Sequence, residues 1–422
     1  MAKLPLQDSP WREAVEAPEF PALEAPLIAD VAIVGGGMTG ILAAYLLRKS
    51  GKSVVLLESD RLGSRASGAT TAFLMETIDT SLSELIATRG KKRAALVIRA
   101  HREAADLLES MVKEERIECE FKRARVHRYA ETAEEFHSLK EEAEAGKKLG
   151  IALSIEDGLF FPFPVAGVLT LERQAKFHPL KFLFAIASIA AKEGVRIFEC
   201  TTAQQVAAFP SGKKVIHTES GSVTARHLLM ATHYPFPHQP PSLFFKKARY
   251  VTYVLEVELP RGTLPEAMYE DLKIPYHYAR LDSGENIDRL IVGGEDHRAD
   301  VPLPEGKGFA ALETYLKNLL PSAVYEVKRR WKGPIIESGD GLALIGPIKK
   351  DGIFHATGHS GNGITYAAIA AKIFRDYVLG KRNAFADVFA ADRPLEARAY
   401  LPSALRYLQE FWNGAVKNFF GN

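Results

Sequence analysis

Between an apolar strand and an apolar helix the chain carries Gly35-Gly36-Gly37-Met38-Thr39-Gly40, and no other stretch restricts its fold as tightly. Asp30 to Val34 reads as a short buried strand. Met38 to Lys49 reads as a helix that turns Ala43, Ala44, Leu46 and Leu47 inward, and Gly51 stops it. Ser53 to Leu57 is a second apolar strand, which completes a βαβ unit, the natural start of a doubly wound sheet. Val31 to Leu47 holds no charge, yet it falls short of the roughly 18–20 residues of a membrane span and is interrupted by glycine. Within the G-x-G-x-x-G, the first glycine permits the turn, the second lets a pyrophosphate approach the backbone, and the third lets helix pack on strand. The helix N-terminus then meets the phosphates with its partial positive charge. Glu58, at the end of the second strand, is placed to accept hydrogen bonds from ribose hydroxyls and to repel a 2′-phosphate. The bland alternative is a glycine-rich turn with an exposed Glu58. The motif by itself does not separate NAD from FAD.

Length and charge narrow the rest. A chain of 422 residues suits two domains. Lys+Arg 54 against Asp+Glu 52 gives a net charge of +2, which makes no electrostatic case for nucleic acid or an anionic membrane. With 2 Cys, a disulfide framework and a four-cysteine cluster are excluded, and neither Cys119 nor Cys200 begins a C-x-H or C-x-x-H run, so no metal site is expected. Met1 to Pro5 lacks the apolar core of a secretory leader. The expectation is a cytoplasmic protein without an integral membrane segment.

Further along, residues 1–29 read as a Pro- and Glu-rich arm lying over the first domain. Residues 81–115 and 131–149 are helix-periodic and flank an alternating strand, Ile117 to Tyr129. Leu180 to Glu193 is an amphipathic helix followed by a strand, Val195 to Glu199. The ribbon Lys214 to Glu219 and Ser222 to His227 leads into the buried strand Leu228 to Thr232, and Pro235, Pro237, Pro240 and Pro241 mark a boundary. Alternation from Arg249 to Val292 predicts antiparallel sheet, Tyr315 to Leu320 ends a helix, Gly352 to Thr357 is strand-like, and Ile364 to Leu379 is a long apolar helix. The predicted organisation is a discontinuous dinucleotide domain (1–105, 160–245 and 330–390), a second domain (106–159 and 246–329) and a helical tail (391–422). Leu405, Leu408, Phe411, Trp412, Val416 and Phe419 form one stripe of that tail, expected to dock on its own domain rather than on a membrane or partner.

Two more stretches carry chemistry. Arg61-Leu62-Gly63-Ser64-Arg65-Ala66-Ser67-Gly68-Ala69-Thr70-Thr71-Ala72 is a run of small and hydroxyl residues that lets backbone pass close to a planar ring. Thr357-Gly358-His359-Ser360-Gly361-Asn362-Gly363-Ile364 opens the last apolar helix, and its glycine-rich N-terminus is again an anion site. At these stretches, and along Asp30–Ala72, His178–Thr232 and Asp340–Leu379, the sequence resembles the FAD-dependent D-amino-acid oxidase-like family, which includes glycine and sarcosine oxidases. Trp11 with Pro18-Glu19-Phe20-Pro21, the run Ala231-Thr232-His233-Tyr234-Pro235-Phe236 and Gly358 to Gly363 resemble more closely a bacterial subgroup that usually carries a C-terminal Rieske domain. Such a cluster takes two cysteines and two histidines, and neither Cys119 nor Cys200 opens the C-x-H or C-x-x-H run that would supply them, so electron transfer to an internal cluster is not expected.

The resemblance implies an α/β fold: a glutathione-reductase-like, Rossmann-type FAD domain with a second, mostly antiparallel substrate domain. It implies Gly35, Gly37 and Gly40 at the pyrophosphate, Glu58 at the ribose, and Ser59 and Ala203 along the adenosine. Ser67, Gly68, Thr70 and Thr71 would run beside the flavin, and Gly361, Asn362, Gly363 and Ile364 would cap its pyrimidine edge. No cysteine lies near that cap, so the FAD is expected to be non-covalent. Relatives that oxidise amino acids often carry Gly-x-Arg-Pro before the Asp-Gly matched by Asp340-Gly341. Here the stretch is Gly333-Pro334-Ile335-Ile336, which removes the arginine for a substrate carboxylate. Alternation in Tyr276-His277-Tyr278-Ala279-Arg280 puts Tyr276, Tyr278 and Arg280 on one face. If that face roofs the flavin, Arg280 is a candidate for an acidic group and Tyr278 for orienting an amine or hydroxyl; an exposed face with Arg280 in an ordinary ion pair is the alternative. His359 is the better histidine candidate, and His297 reads as a loop residue. The expected activity is flavin-dependent oxidation of a C–N or C–O bond in a small molecule. The alternatives are an electron-transfer flavoprotein with a separate iron–sulfur acceptor, or a non-catalytic dinucleotide-binding protein.

Overall fold

In the computed structural model, residues 9–394 are described apart from 14, 158–160, 162, 234–239, 241, 242, 244, 245, 302 and 349–351. The predicted tail stripe from Leu405 to Phe419 and the residues Tyr234 to Phe236 lie outside the described residues. One sheet of eight strands and one of nine organise the chain.

The first sheet runs in the order Leu344–Pro347, Phe354–Thr357, Ser222–Met230, Leu27–Val34, Val54–Leu57 and Arg196–Phe198, with the hairpin Gln205–Ala208 and Lys214–His217 attached to Ser222–Met230. Its four central pairings, from Phe354–Thr357 through to Arg196–Phe198, are parallel. A parallel sheet covered on both faces needs strands apolar on both sides. Val31, Ala32 and Ile33 accordingly have no exposed surface, nor have Val54, Val55, Leu56 and Leu57. The Met38–Lys49 helix packs on this sheet between the Gly363–Val378 and Pro179–Lys192 helices. The fit is close because it is built on glycine: a Cβ on Gly40 would stand 1.9 Å from the Gly35 carbonyl oxygen.

The second sheet runs Glu326–Ser338, Lys247–Pro260, Ile287–Arg298, His277–Asp282, Met268–Glu270, Lys122–Ala130, Gly167–Lys176 and Phe73–Leu74, with Leu153–Glu156 on Gly167–Lys176. It is antiparallel except where Met268–Glu270 meets Lys122–Ala130. Two expectations change here. The strand predicted from Ile117 begins at Lys122, because Arg116 and Glu120 adopt positive φ (52° and 56°) and break the extended run. Phe73–Leu74 and Gly167–Lys176, assigned by sequence to the dinucleotide domain, belong to this second sheet, and Glu326–Ser338 crosses the predicted boundary at 330. Edge pairing is decided by partners more than a hundred residues away in places, which alternation alone does not name.

The long helix Leu82–Glu114 starts from Ser81, whose hydroxyl accepts from the Glu84 N–H, and kinks at Gly90 (φ 75°). Ala133–Lys148 begins with a capping box between Thr132 and Glu135. No described helix is long and apolar enough to cross a membrane.

Candidate active site

Glu58 ends its strand with its carboxylate turned back into the glycine turn. Oε2 accepts from the Gly36 N–H at 2.6 Å, and Oε1 accepts from the Asp60 N–H at 2.9 Å and the Ser59 hydroxyl at 3.2 Å. Gly36 itself has no room for a side chain, since a Cβ would lie 2.9 Å from the Glu58 Cβ. Gly37 caps the following helix with no side-chain bond of its own, and Ser67 Oγ accepts from the Met38 N–H at 2.9 Å. Ser59 stays exposed, whereas Ala203 is buried against Val34, Val55 and Leu57 under the strand ends.

At the opposite end, Gly363 begins the last helix behind Asn362, which makes no side-chain cap, and a Cβ on Gly363 would meet nothing within 4 Å. Asp79 reaches this turn, accepting from the Gly361 N–H at 3.0 Å and from Asn362 Nδ2 at 2.8 Å. His359, in the same turn, stacks on Tyr366. Burial and the neighbouring His233 push its pKa down to about 3, so it stands as neutral imidazole and is a weak base near neutral pH.

The roof comes from the second sheet. Tyr276 and Tyr278 lie with ring centroids 5.8 Å apart, and Tyr278 meets Phe73 edge-on at 5.6 Å. The Tyr278 ring lies across Gly293, where a Cβ would fall 2.3 Å from it, and its hydroxyl is 3.3 Å from Thr252 Oγ1. Burial raises the pKa of both phenols, which remain protonated donors. A Cβ on Gly361 would come 3.5 Å from the Tyr276 hydroxyl, so the roof and the glycine turn share one space.

A β-bulge delivers a carboxylate there. Register between Lys247–Pro260 and Ile287–Arg298 slips between Val251 and Tyr253, and Glu295 adopts φ 55° at the slip. An extra residue on one strand re-aims its neighbours. Glu295 swings toward His277 (3.2 Å), whose other nitrogen meets Asp271 at 2.7 Å. Burial works against the charged imidazole, but the two carboxylates prevail and raise His277 to about 9. Asp296 turns the other way and accepts from the Tyr276 hydroxyl at 3.3 Å through Oδ2. Its Oδ1 is closed to solvent and has no hydrogen-bond partner among the described residues. Burial, with the Asp79 charge behind it, raises Asp296 to about 7, against the hydroxyls of Thr252 and Tyr276 and the charge of His277, which pull it down.

Arg280 does not join this space. Its side chain is 1% exposed, Nη1 donates to the carbonyls of Thr71 (3.1 Å), Ala72 (3.4 Å) and Phe177 (2.9 Å), and Nε donates to Asp282 at 3.0 Å. The expectation that it receives a substrate acid is corrected: with those donors engaged, the guanidinium is a strut between strand and loop. Ile335 stands on Glu326–Ser338, separated from Arg280's strand by two others and paired with Tyr250, and it brings no charge. His297 is on a strand rather than in a loop, stacked on Tyr253.

A family model described as "FAD dependent oxidoreductase" (DAO) matches residues 30–377. The chain belongs to the DAO family of FAD-dependent oxidoreductases. This DAO-family chain is 28% identical over 389 residues (91% of this chain, 75% of the relative) to a Bacillus subtilis protein, YhfW, named as a Rieske 2Fe-2S iron–sulfur protein. It is 24% identical over 384 residues (88% of each) to the gamma-glutamylputrescine oxidoreductase of Escherichia coli. The glycine oxidase structure from Geobacillus kaustophilus superposes with a TM-score of 0.75 at 22% identity, over 88% of this chain and 100% of that one, which fixes the α/β fold with its second sheet. The residues of this DAO-family chain fit FAD: at two helix N-termini behind glycine turns the N-cap residue makes no side-chain cap of its own. Among the described residues, Thr232 Oγ1 and His359 Nε2 are also buried there without partners.

Sequence reasoning missed Asp79, Asp296 and Thr252. Asp296 carried a usable signal in Gly293-Gly294-Glu295-Asp296-His297, where paired glycines in a strand mark a bulge. Asp79 carried none.

Proposed function

We propose that the protein oxidises the C–N bond of an amine, with the ammonium group of the substrate drawn to Asp296 and Asp79. The unpartnered, solvent-closed Oδ1 of Asp296 carries this reading, because a buried carboxylate oxygen without a donor is costly unless a ligand supplies one. Bound FAD supplies the two-electron acceptor. The chain's own work is then orientation, charge and proton handling. A carboxyl group near pH 7 is suited to both binding an ammonium group and taking its proton at Oδ1, leaving the neutral amine that oxidation requires. Tyr276 holds Oδ2 and so aims Oδ1, while Tyr278 and Phe73 wall the site against water. The flavin would lie with its phosphates at Gly35, Gly37 and Gly40, its ribose at Glu58, its ring along Ser67, Gly68, Thr70 and Thr71, and its pyrimidine edge at Gly361 to Ile364. Support from relatives is of the same kind, since one is named for a glutamylated diamine.

Loss of the carboxylate-binding arginine and the placement of Arg280 make small α-amino acids poor substrates on this reading. Anaerobic bleaching of the bound flavin should be faster with diamines and N-alkyl amines than with glycine, sarcosine or D-alanine. Rapid bleaching by D-alanine that survives Asp296→Asn would refute the proposal. A second reading, electron delivery to a separate iron–sulfur protein, is favoured by the relative named as a Rieske protein. Chemically reduced flavin that is reoxidised faster by an oxidised iron–sulfur protein than by oxygen, in a protein whose flavin no amine bleaches, would select it.

A further inference from the structure

The four-residue helix Ala66–Ala69 leaves its last carbonyls without helical partners, and the chain then passes through Thr70 (φ −68°, ψ 153°) to Ala72 at φ 60°. Nothing regular bonds these peptides. Every carbonyl from Gly68 to Ala72 is nonetheless taken by a side chain from a distant part of the sequence. Ser9 Oγ donates to Gly68 at 2.5 Å, Trp331 Nε1 to Ala69 at 2.9 Å, Trp11 Nε1 to Thr70 at 2.6 Å, and Arg280 Nη1 to Thr71 and Ala72. Trp11 has no exposed surface. Its ring sits 5.3 Å from the guanidinium carbons of both Arg280 and Arg289 and meets His178 edge-on. Arg12 adds a bond to the Gly63 carbonyl at 3.3 Å.

In a trans peptide the carbonyl points away from the N–H of the next residue. Each carbonyl fixed by a donor from the surrounding protein therefore turns the N–H group that follows it away from that donor. We propose that Trp11, with Ser9, Trp331 and Arg280, is a positioning element for the flavin: it holds residues 68–72 so that the N–H groups and hydroxyls of Thr70 and Thr71, not the carbonyl oxygens, line the ring, the Gly68 and Ala72 N–H groups being taken within the loop by the Arg65 carbonyl and the Thr70 hydroxyl. The inference rests on the reading that this loop runs beside the flavin. It gives the N-terminal arm a role in cofactor retention and in setting the flavin's potential, since donors facing the ring favour its negatively charged reduced form.

Trp11→Phe keeps the buried ring and deletes one donor. In the full-length, FAD-loaded protein it should weaken FAD by about ten-fold, lower the midpoint potential and shift the visible flavin spectrum, with the far-ultraviolet circular dichroism unchanged. Trp331→Phe and Ser9→Ala each delete a neighbouring bond and should act in the same direction, which keeps the test open if Trp11→Phe fails to fold. Thr71→Val separates the two layers of the argument. If Thr71→Val perturbs the spectrum and potential while Trp11→Phe, Trp331→Phe and Ser9→Ala leave affinity, potential and spectrum at wild-type values, the positioning role is overturned. If Thr71→Val is silent as well, the loop does not run beside the flavin.

Discussion

Replacing Asp296 by asparagine tests the site through stability before any substrate is known. The carboxyl group is raised to about 7 in the folded chain, against an ordinary value of 3.8. The gap is about 3 pH units, which at about 1.36 kcal/mol per unit corresponds to about 4 kcal/mol. The sign follows from proton counts. Between pH 4 and pH 7 the folded protein keeps a proton on Asp296 that the unfolded chain has lost, so stability falls as pH rises through this window and levels off above about 7. The asparagine side chain carries no such proton. Asp296→Asn should match wild type below about pH 4 and exceed it at pH 8 by about 2–4 kcal/mol, the upper figure being the full gap. Urea unfolding of the flavin-free protein at several pH values reads the difference, and other titrating groups cancel between the two proteins. A variant no more stable than wild type at pH 8 would refute the buried carboxylate with one unpartnered oxygen. The same group sets the substrate profile: an amine with a pKa of about 10 stays cationic while Asp296 ionises, so its binding should tighten as pH rises through about 7, and Asp296→Asn should flatten that limb.

Other substitutions probe separate parts of the molecule. Gly40→Ala, whose methyl group would stand 1.9 Å from the Gly35 carbonyl, should yield protein that no longer retains FAD, read from the absorbance ratio of the purified protein. Glu58→Gln should weaken FAD by about 1–3 kcal/mol, because an amide cannot accept from both the Gly36 and Asp60 N–H groups and still serve the ribose; a fluorescence titration checks it. Arg280→Met should lower the urea midpoint by an amount equivalent to about 2–4 kcal/mol, since it strips donors from the Thr71, Ala72 and Phe177 carbonyls. Heat denaturation followed by filtration should release all the FAD, since Cys119 is buried and no cysteine stands in the glycine turn at the last helix.

The part of the molecule written locally was open to reading. The Met38–Lys49 helix has the bounds its sequence predicts, and Pro179–Lys192 differs from prediction by one residue at each end. Glycines, caps and the 3.6-residue period act within a few residues of themselves. The amine-facing side of the site was not written that way. Asp296 faces inward because a bulge slips the register opposite Thr252, and Asp79 arrives because the chain before the long helix crosses the last glycine turn. Arg280 illustrates the limit most plainly. Alternation assigns it to one face with Tyr276 and Tyr278, but apart from Asp282 its partners are backbone carbonyls of residues 71, 72 and 177, and carbonyls leave no mark in a sequence.

The strand order of the first sheet also governs how this chain emerges during synthesis. Leu27–Val34 is central and has Val54–Leu57 on one side almost at once, but its other neighbour is Ser222–Met230, with Val31 facing His227. At about 5–20 residues per second the ribosome needs on the order of 10–40 s to deliver that neighbour. During that interval one edge of a strand apolar at every position but Asp30 is open, and Phe354–Thr357 and the closing helix come later still. A nascent chain of this design spends its first half-minute as a template for unwanted pairing. Yield from rapid expression should therefore depend on chaperones that hold the early βαβ unit, more than on the stability of the finished enzyme.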